Sequence, residues 1–171
     1  MNRPIYRRVE FIANIATILV AVLLSAVLAK TLIQPKKPNQ QPPPLPTIGR
    51  GTKLSVPDVD WSQHKHNLIL VLQKGCHFCT DSAPFYQGLA RTIRGRTDVQ
   101  LIAALPQDQV TSMDYLKGLG IAVDAIRQVD LSSIGIRSTP TLLLTDSSGV
   151  VTDVWIGKLP PEKEQEVYER L

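Results

Sequence analysis

Between positions 35 and 46 the chain reads PKKPNQQPPPLP, six prolines in twelve residues. Proline fixes φ and brings no backbone N–H, so this run can join neither a helix nor a sheet ladder. Extended polyproline II is the conformation left to it, reaching up to about 37 Å at ~3.1 Å per residue. The run therefore divides the chain, and the segments on either side of it must fold separately.

Ahead of it, Phe11–Ala29 reads FIANIATILVAVLLSAVLA, nineteen residues without a charge. As a helix this stretch spans roughly 28 Å, near the ~30 Å hydrocarbon thickness of a bilayer. A buried core helix would need cover on every side, which one small domain rarely supplies. A cleavable signal peptide is the rival reading, since VLA at 27–29 has the small-residue character of a cleavage site. Against it, the apolar run exceeds the ~7–15 residues of a signal core. The expected organisation is a short basic N-terminus (1–10), a single transmembrane anchor (11–33), a Pro-rich linker (34–50) and one globular domain (51–171).

Charge sorts the same way. The formal net charge is +4 and the pI about 9.2. Residues 1–50 carry seven Lys or Arg against Glu10 alone, whereas residues 51–171 carry twelve against fourteen Asp or Glu. The basic character belongs to the leading segment, and the domain has no charge reason to bind nucleic acid. Arg3, Arg7 and Arg8 precede the apolar stretch while Lys30, Lys36 and Lys37 follow it, so basic residues do not fix its orientation. The very short leader favours an inside N-terminus, and a cysteine pair that cycles through a disulfide favours the far side, where disulfides persist. The expectation is a single-pass protein of the inner (cytoplasmic) membrane with its domain on the extracytoplasmic, periplasmic side.

With 43% apolar residues, the chain has enough for one core of ordinary size. NLILVLQ (67–73) and VQLIAAL (99–105) read as buried strands. A helix is expected from Cys76 to Arg94, closed by Gly95, and a second over 108–118 with Val110, Met113 and Leu116 or Lys117 at helical spacing. TLLLT (141–145), DSSG (146–149) and VVTDVW (150–155) have the signature of a β-hairpin. A last helix starts at Pro160-Pro161, with Glu162, Glu164 and Glu166 near its positive dipole end. The order β-α-β-α-ββ-α predicts an α/β domain, a mixed sheet with flanking helices.

Both cysteines of the chain fall in KGCHFCTDSAP (74–84), two residues apart. Such a pair can be half of a metal site, a stabilising disulfide or a redox dithiol. Here a strand delivers the chain at Gln73, Lys74 and Gly75 turn it, and a helix begins at Cys76. A sulfur at a helix start faces unpaired N–H groups that favour thiolate over thiol. Cys79 follows on the same face, one turn deeper. Cys76 is therefore the expected nucleophile and Cys79 the resolving thiol. Pro84, eight residues after Cys76, would cost ~3 kcal/mol in a helix interior, so a kink is expected there. STPT (138–141) sets Pro140 directly before a strand, and a cis Thr139–Pro140 bond would turn the chain sharply.

With these motifs the chain resembles the thioredoxin superfamily: a strand leading into C-x-x-C, a proline eight residues on, and TPT before a hairpin. The apolar leader, the extra length between Cys79 and Pro140, and TPTLLLTDSSGVV followed by WIGKL (155–159) resemble the membrane-anchored, extracytoplasmic TlpA/ResA-like branch. The resemblance covers roughly residues 52–171. It implies that the Cys76 thiolate attacks a substrate disulfide and that Cys79 resolves the mixed disulfide. It also implies that Thr139 and Pro140 border the sulfurs and bind substrate backbone. The implied partners are protein thiol or disulfide substrates and a redox-recycling protein, with no cofactor. Two departures stand out. Gly75 replaces the tryptophan common before the first cysteine, and no acid lies on strand 67–73 beneath the pair, Asp81 being the nearest.

His77 and Phe78, between the cysteines, are the expected redox-tuning residues. A protonated imidazole near the sulfur stabilises thiolate, while Phe78 offers apolar contact to a partner. The plain alternative is that His77 points to water. His64 and His66 suggest zinc or copper with the cysteines, but the strand between them runs ~23 Å and separates the two groups. Copper held by Cys76, Cys79 and His77, in a metallochaperone of the same fold, is the alternative function. A purely structural disulfide would close too small a ring to remove much chain entropy.

Overall fold

The computed structural model describes residues 17–26 and 47–171. Residues 17–26 are helical and expose Ile18, Leu19, Val20, Val22, Leu23 and Leu24. Among the described residues no helix is long and apolar enough to cross a membrane. The rest of the expected anchor, the basic N-terminus and residues 34–46 of the linker lie outside the described residues.

The domain begins with a 3-10 turn at Trp61–Gln63 and runs β1 (His66–Val71), α1 (His77–Asp81), α2 (Ala83–Ile93), β2 (Val99–Leu105) and α3 (Gln109–Gly118). It continues with β3 (Ala125–Gln128), β4 (Thr141–Asp146), β5 (Val151–Ile156) and α4 (Pro161–Arg170). One five-stranded sheet has the order β3-β2-β1-β4-β5. β1, β2 and β3 are parallel, while β4 pairs antiparallel with both β1 and β5. Both parallel crossovers step in one direction along the sheet, so right-handed connections put their helices on the same face.

Burial agrees. Leu68, Leu70 and Leu72, with Leu101, Ala103 and Leu105, point to the helical side and pack with Tyr86, Leu89, Leu116 and Val167. The alternate residues Ile69, Val71, Ile102 and Ala104 point to the other side. There the cover is irregular chain: Ile48, Leu54 and Val56 from the lead-in, and Val129, Ile134 and Ile136 from the loop after β3. β1 is thus apolar on both faces, which is why its sequence shows no alternation. Each of its fully buried leucines is worth about 2 kcal/mol of transfer free energy.

The kink expected near Pro84 in the helix over 76–94 is a full break at Ser82, which leaves Pro84 in the first turn of α2, and three further details differ from the sequence expectation. A proline there lacks only an N–H that has no intrahelical acceptor, so the interior penalty does not arise. On α3, Val110 and Met113 are exposed, and the buried stripe is Ser112 with Leu116. Ser112 is tolerated because its Oγ donates to the Gln107 carbonyl at 3.1 Å. Strand β3 is an element the sequence reading lacks. Finally, packing begins at Ile48, ahead of Gly51, with the Ile48 N–H donating to the Gly135 carbonyl at 3.2 Å.

The lead-in also shields a sheet edge. Gly51 N–H donates to the Val151 carbonyl at 2.8 Å, Val151 N–H to Thr52 at 2.9 Å, and Leu54 N–H to Gly149 at 2.9 Å. Arg50 adds an ion pair with the buried Asp153 of β5. An edge occupied in this way is not free to pair with another chain.

Candidate active site

Strand register assembles the site. Val71, the last residue of β1, pairs with Ala104 across the parallel ladder and with Thr141 across the antiparallel one. Pro140 and the chain just past β2 therefore meet at the sheet end where the cysteines begin. Leu72 N–H donates to Ala104 O at 3.1 Å, Lys74 N–H to Gln107 Oε1 at 3.3 Å, and Cys76 N–H to Gln73 O at 3.1 Å. This turn requires φ +84° at Gly75, a conformation that a side chain disfavours by roughly 1 kcal/mol. Glycine in place of the expected tryptophan thus has a backbone reason. A Cβ placed there would meet nothing within 4 Å, so the rim beside Cys76 is open.

Cys76 is the N-cap of α1, its Sγ accepting the Cys79 N–H at 3.1 Å. The two cysteines form a disulfide with their Cα atoms 5.3 Å apart. The sulfurs are unequal: Cys76 is half-buried, whereas Cys79 is fully buried. The Thr139 carbonyl oxygen lies 3.4 Å from Cys76 Sγ. The Thr139–Pro140 peptide bond is cis. Thr141 Oγ1 donates to Ser138 O at 2.8 Å and Gly157 N–H to Pro140 O at 2.7 Å, so this loop is fixed on both sides.

His77 and Phe78 lie outside the sealed part of the site. The His77 side chain is 80% exposed, and its Nε2 stands 3.5 Å from Asp81 Oδ2, one turn along α1. Lys158 Nζ reaches the same oxygen at 3.3 Å. The carboxylate therefore joins α1 to the chain after β5, and His77 leans back along the helix. Phe78 and Ile156 are both exposed apolar residues. Ile156 sits opposite Thr141, at the same sheet end as the disulfide. Ile156 and Lys158 fall within WIGKL (155–159), but their place beside the disulfide comes only from strand register.

Strand β1 carries no acid, and two buried hydroxyl residues follow Cys79 along the chain. Ser82 and Tyr86 are buried on the inner face of α1 and α2, and Ser82 Oγ has no hydrogen-bond partner. Burial raises the Tyr86 phenol well above its ordinary pKa, so it stays protonated. His64 and His66 lie at the other end of β1, where His66 pairs with Asp146 and His64 Nδ1 is 2.9 Å from the Thr97 carbonyl. The structure does not bring them to the cysteines. Among the described residues no group of three or more His, Cys, Asp or Glu is placed to hold a metal ion.

The chain has a thioredoxin-like fold, a mixed sheet flanked by helices with a C-x-x-C disulfide at the end of a central strand. No protein-family model matches the chain, and no curated protein matches it in sequence. Solved structures do match. A Chlorobium tepidum protein assigned as the thiol:disulfide interchange protein DsbE is similar at TM-score 0.56 and 15% identity, over 72% of this chain and 96% of that one. The thioredoxin domain of a thiol-disulfide oxidoreductase from Bacteroides vulgatus is similar at TM-score 0.56 and 12% identity, over 72% and 98%. A thiol-disulfide isomerase from Corynebacterium glutamicum is similar at TM-score 0.53 and 16% identity, over 74% and 92%.

Proposed function

We propose that this protein is a membrane-tethered, extracytoplasmic thiol-disulfide oxidoreductase acting on protein thiols and disulfides. The observation that carries the proposal is the inequality of the two sulfurs: Cys76 is reachable and Cys79 is sealed. A thiolate arriving from outside can meet only one sulfur, so attack is directed to Cys76. In the oxidised protein, a substrate thiolate attacks Cys76 Sγ and the Cys76–Cys79 bond breaks, its electron pair remaining on Cys79. A second substrate thiolate then attacks the substrate sulfur and releases Cys76 as thiolate. Two electrons have passed from substrate to protein, and the reverse sequence reduces a substrate disulfide.

The chain's own groups serve these steps. The Cys79 N–H, 3.1 Å from Cys76 Sγ, is placed to hold the Cys76 thiolate by a charge-assisted hydrogen bond. Thr139 and Pro140 border Cys76 and form the expected resting place for substrate backbone. Phe78, on the rim, offers apolar contact, and His77, within 3.5 Å of Asp81, is the residue between the cysteines expected to tune the pair. The anchor over 11–33 and linker over 34–50 would hold the domain (51–171) within reach of membrane-bound substrates and of a redox-recycling partner. The uncharged apolar run Phe11–Ala29 supports the tether.

Insulin reduction under a dithiol donor tests the chemistry. Cys76→Ser abolishes turnover, and Cys79→Ser accumulates mixed disulfides that a reductant releases. Full turnover by Cys76→Ser would sink the proposal. Carbonate extraction of cell membranes, followed by protease protection, tests tether and sidedness.

A further inference from the structure

Ser82 stands where α1 passes into α2, at the capping position of α2, yet its side chain makes no capping bond. Its Oγ is buried and unpartnered, and the residue is only 4% exposed. A hydroxyl so placed has given up water, and in the oxidised protein it interacts with the neighbouring Tyr86 phenol without forming a hydrogen bond of ordinary geometry. Two side chains share its stripe of helix. Cys79 lies three residues back and Tyr86 four ahead, spacings that bring Cβ atoms to ~5–6 Å. Both are at most 1% exposed. Helical side chains lean toward the N-terminus, the direction in which Cys79 lies from Ser82.

A stronger acceptor for this hydroxyl appears on reduction. In the disulfide, the Cys79 sulfur is a neutral and weak acceptor. Released as thiolate it carries a full charge and accepts strongly. Its own N–H is already directed to Cys76 Sγ, so a donor from another residue is needed in this closed pocket. We propose that the Ser82 hydroxyl is that donor, receiving the buried Cys79 sulfur when the disulfide opens. The Tyr86 phenol, kept protonated by burial, flanks Ser82 on the other side. This inference rests on the exchange reading of the cysteine pair. When an incoming thiolate forms its bond to Cys76 Sγ, the bond to Cys79 breaks and its electron pair stays on Cys79. Ser82 donates a hydrogen bond to that pair and keeps its proton.

The reduced site gains a bond that the oxidised site lacks, so Ser82 makes the disulfide easier to reduce. Ser82→Ala removes that bond. Equilibrated with glutathione buffers and scored by thiol alkylation, the detergent-solubilised full chain carrying Ser82→Ala shifts ~tenfold toward the disulfide, a fall of about 30 mV. Ser82→Thr, which keeps the hydroxyl, stays within about threefold of the parent. Oxidised Ser82→Ala melts no lower than the oxidised parent. An alanine variant within threefold of the parent, equal shifts for Ala and Thr, or a lower melting point of the oxidised alanine variant overturns the proposal. The equilibrium is read on the protein's own disulfide. A parent that fails to reduce insulin would therefore sink the exchange reading while leaving this measurement valid.

Discussion

Gly75 and Gly149 both hold left-handed backbone, at φ +84° and +79°, but their surroundings differ. A Cβ on Gly75 enters open space, whereas one on Gly149 comes within 2.9 Å of the Trp61 ring. Gly75→Ala is expected to lower unfolding free energy by about 1 kcal/mol through backbone strain alone. Gly149→Ala adds a ring clash and should cost ~2 kcal/mol or more, because displacing Trp61 repacks the sheet edge. Urea melts of the two variants rank them, and equal losses would contradict the packing at Trp61. Phe78→Ala belongs to the same scale with the opposite signature. Its ring is exposed, so the melt should not move while KM for a protein disulfide rises several-fold.

Among the elements, α3 depends on its cap. Asp108 accepts the Thr111 N–H at 2.9 Å and the Thr111 hydroxyl at 2.7 Å, and these bonds hold its carboxyl below the usual range. Asp108→Ala should cost about 1 kcal/mol, read as a lower urea midpoint with unchanged slope. The same elements show what the sequence made legible. β1 and β2 stand out because chain buried on two faces needs unbroken apolar residues, and the hairpin stands out through DSSG, where Asp146 Oδ1 accepts from Ser148 and Val150 N–H. β3 is silent because AIRQ is short, half-buried and tied to the sheet on one side only, with no apolar run to display. Val110 and Met113 mislead because spacing alone does not tell which helical stripe meets the core. The cysteines, Pro84 and the TPT loop are local signals. Ser82 has no local signal, because its burial is a property of the packed fold.

For the whole molecule, one contact closes the domain at its end. Arg96 holds Asp98 through two hydrogen bonds, at 3.0 and 2.6 Å, and donates to the Leu171 carbonyl at 2.6 Å. The hydrogen bond from Arg96 lowers the Asp98 pKa to about 2, from an ordinary 3.8. A depressed carboxyl stabilises the fold above its unfolded pKa and loses that contribution as pH falls through its folded one. The stability gap between parent and Asp98→Asn should therefore be constant above about pH 5 and shrink between about pH 4 and pH 2. Acid-unfolding curves check this, and a gap that widens on acidification would refute it. The opposite end makes a second whole-molecule prediction. A chain starting at Thr47 retains Ile48 and Arg50 and should melt like the parent domain, whereas one starting at Lys53 loses both and melts several degrees lower.

The pairing of Val71 with Thr141 has a further meaning. Side chains alternate along β4, so sliding that strand by a single step would send Leu142 and Leu144 to the wrong layer and carry Pro140 ~3.4 Å along the strand axis. The spacing between loop and sulfur is thus gauged by the hydrophobic layers themselves. Misalignment at the reactive end cannot arise as a small local error; it would require the central strands to come apart.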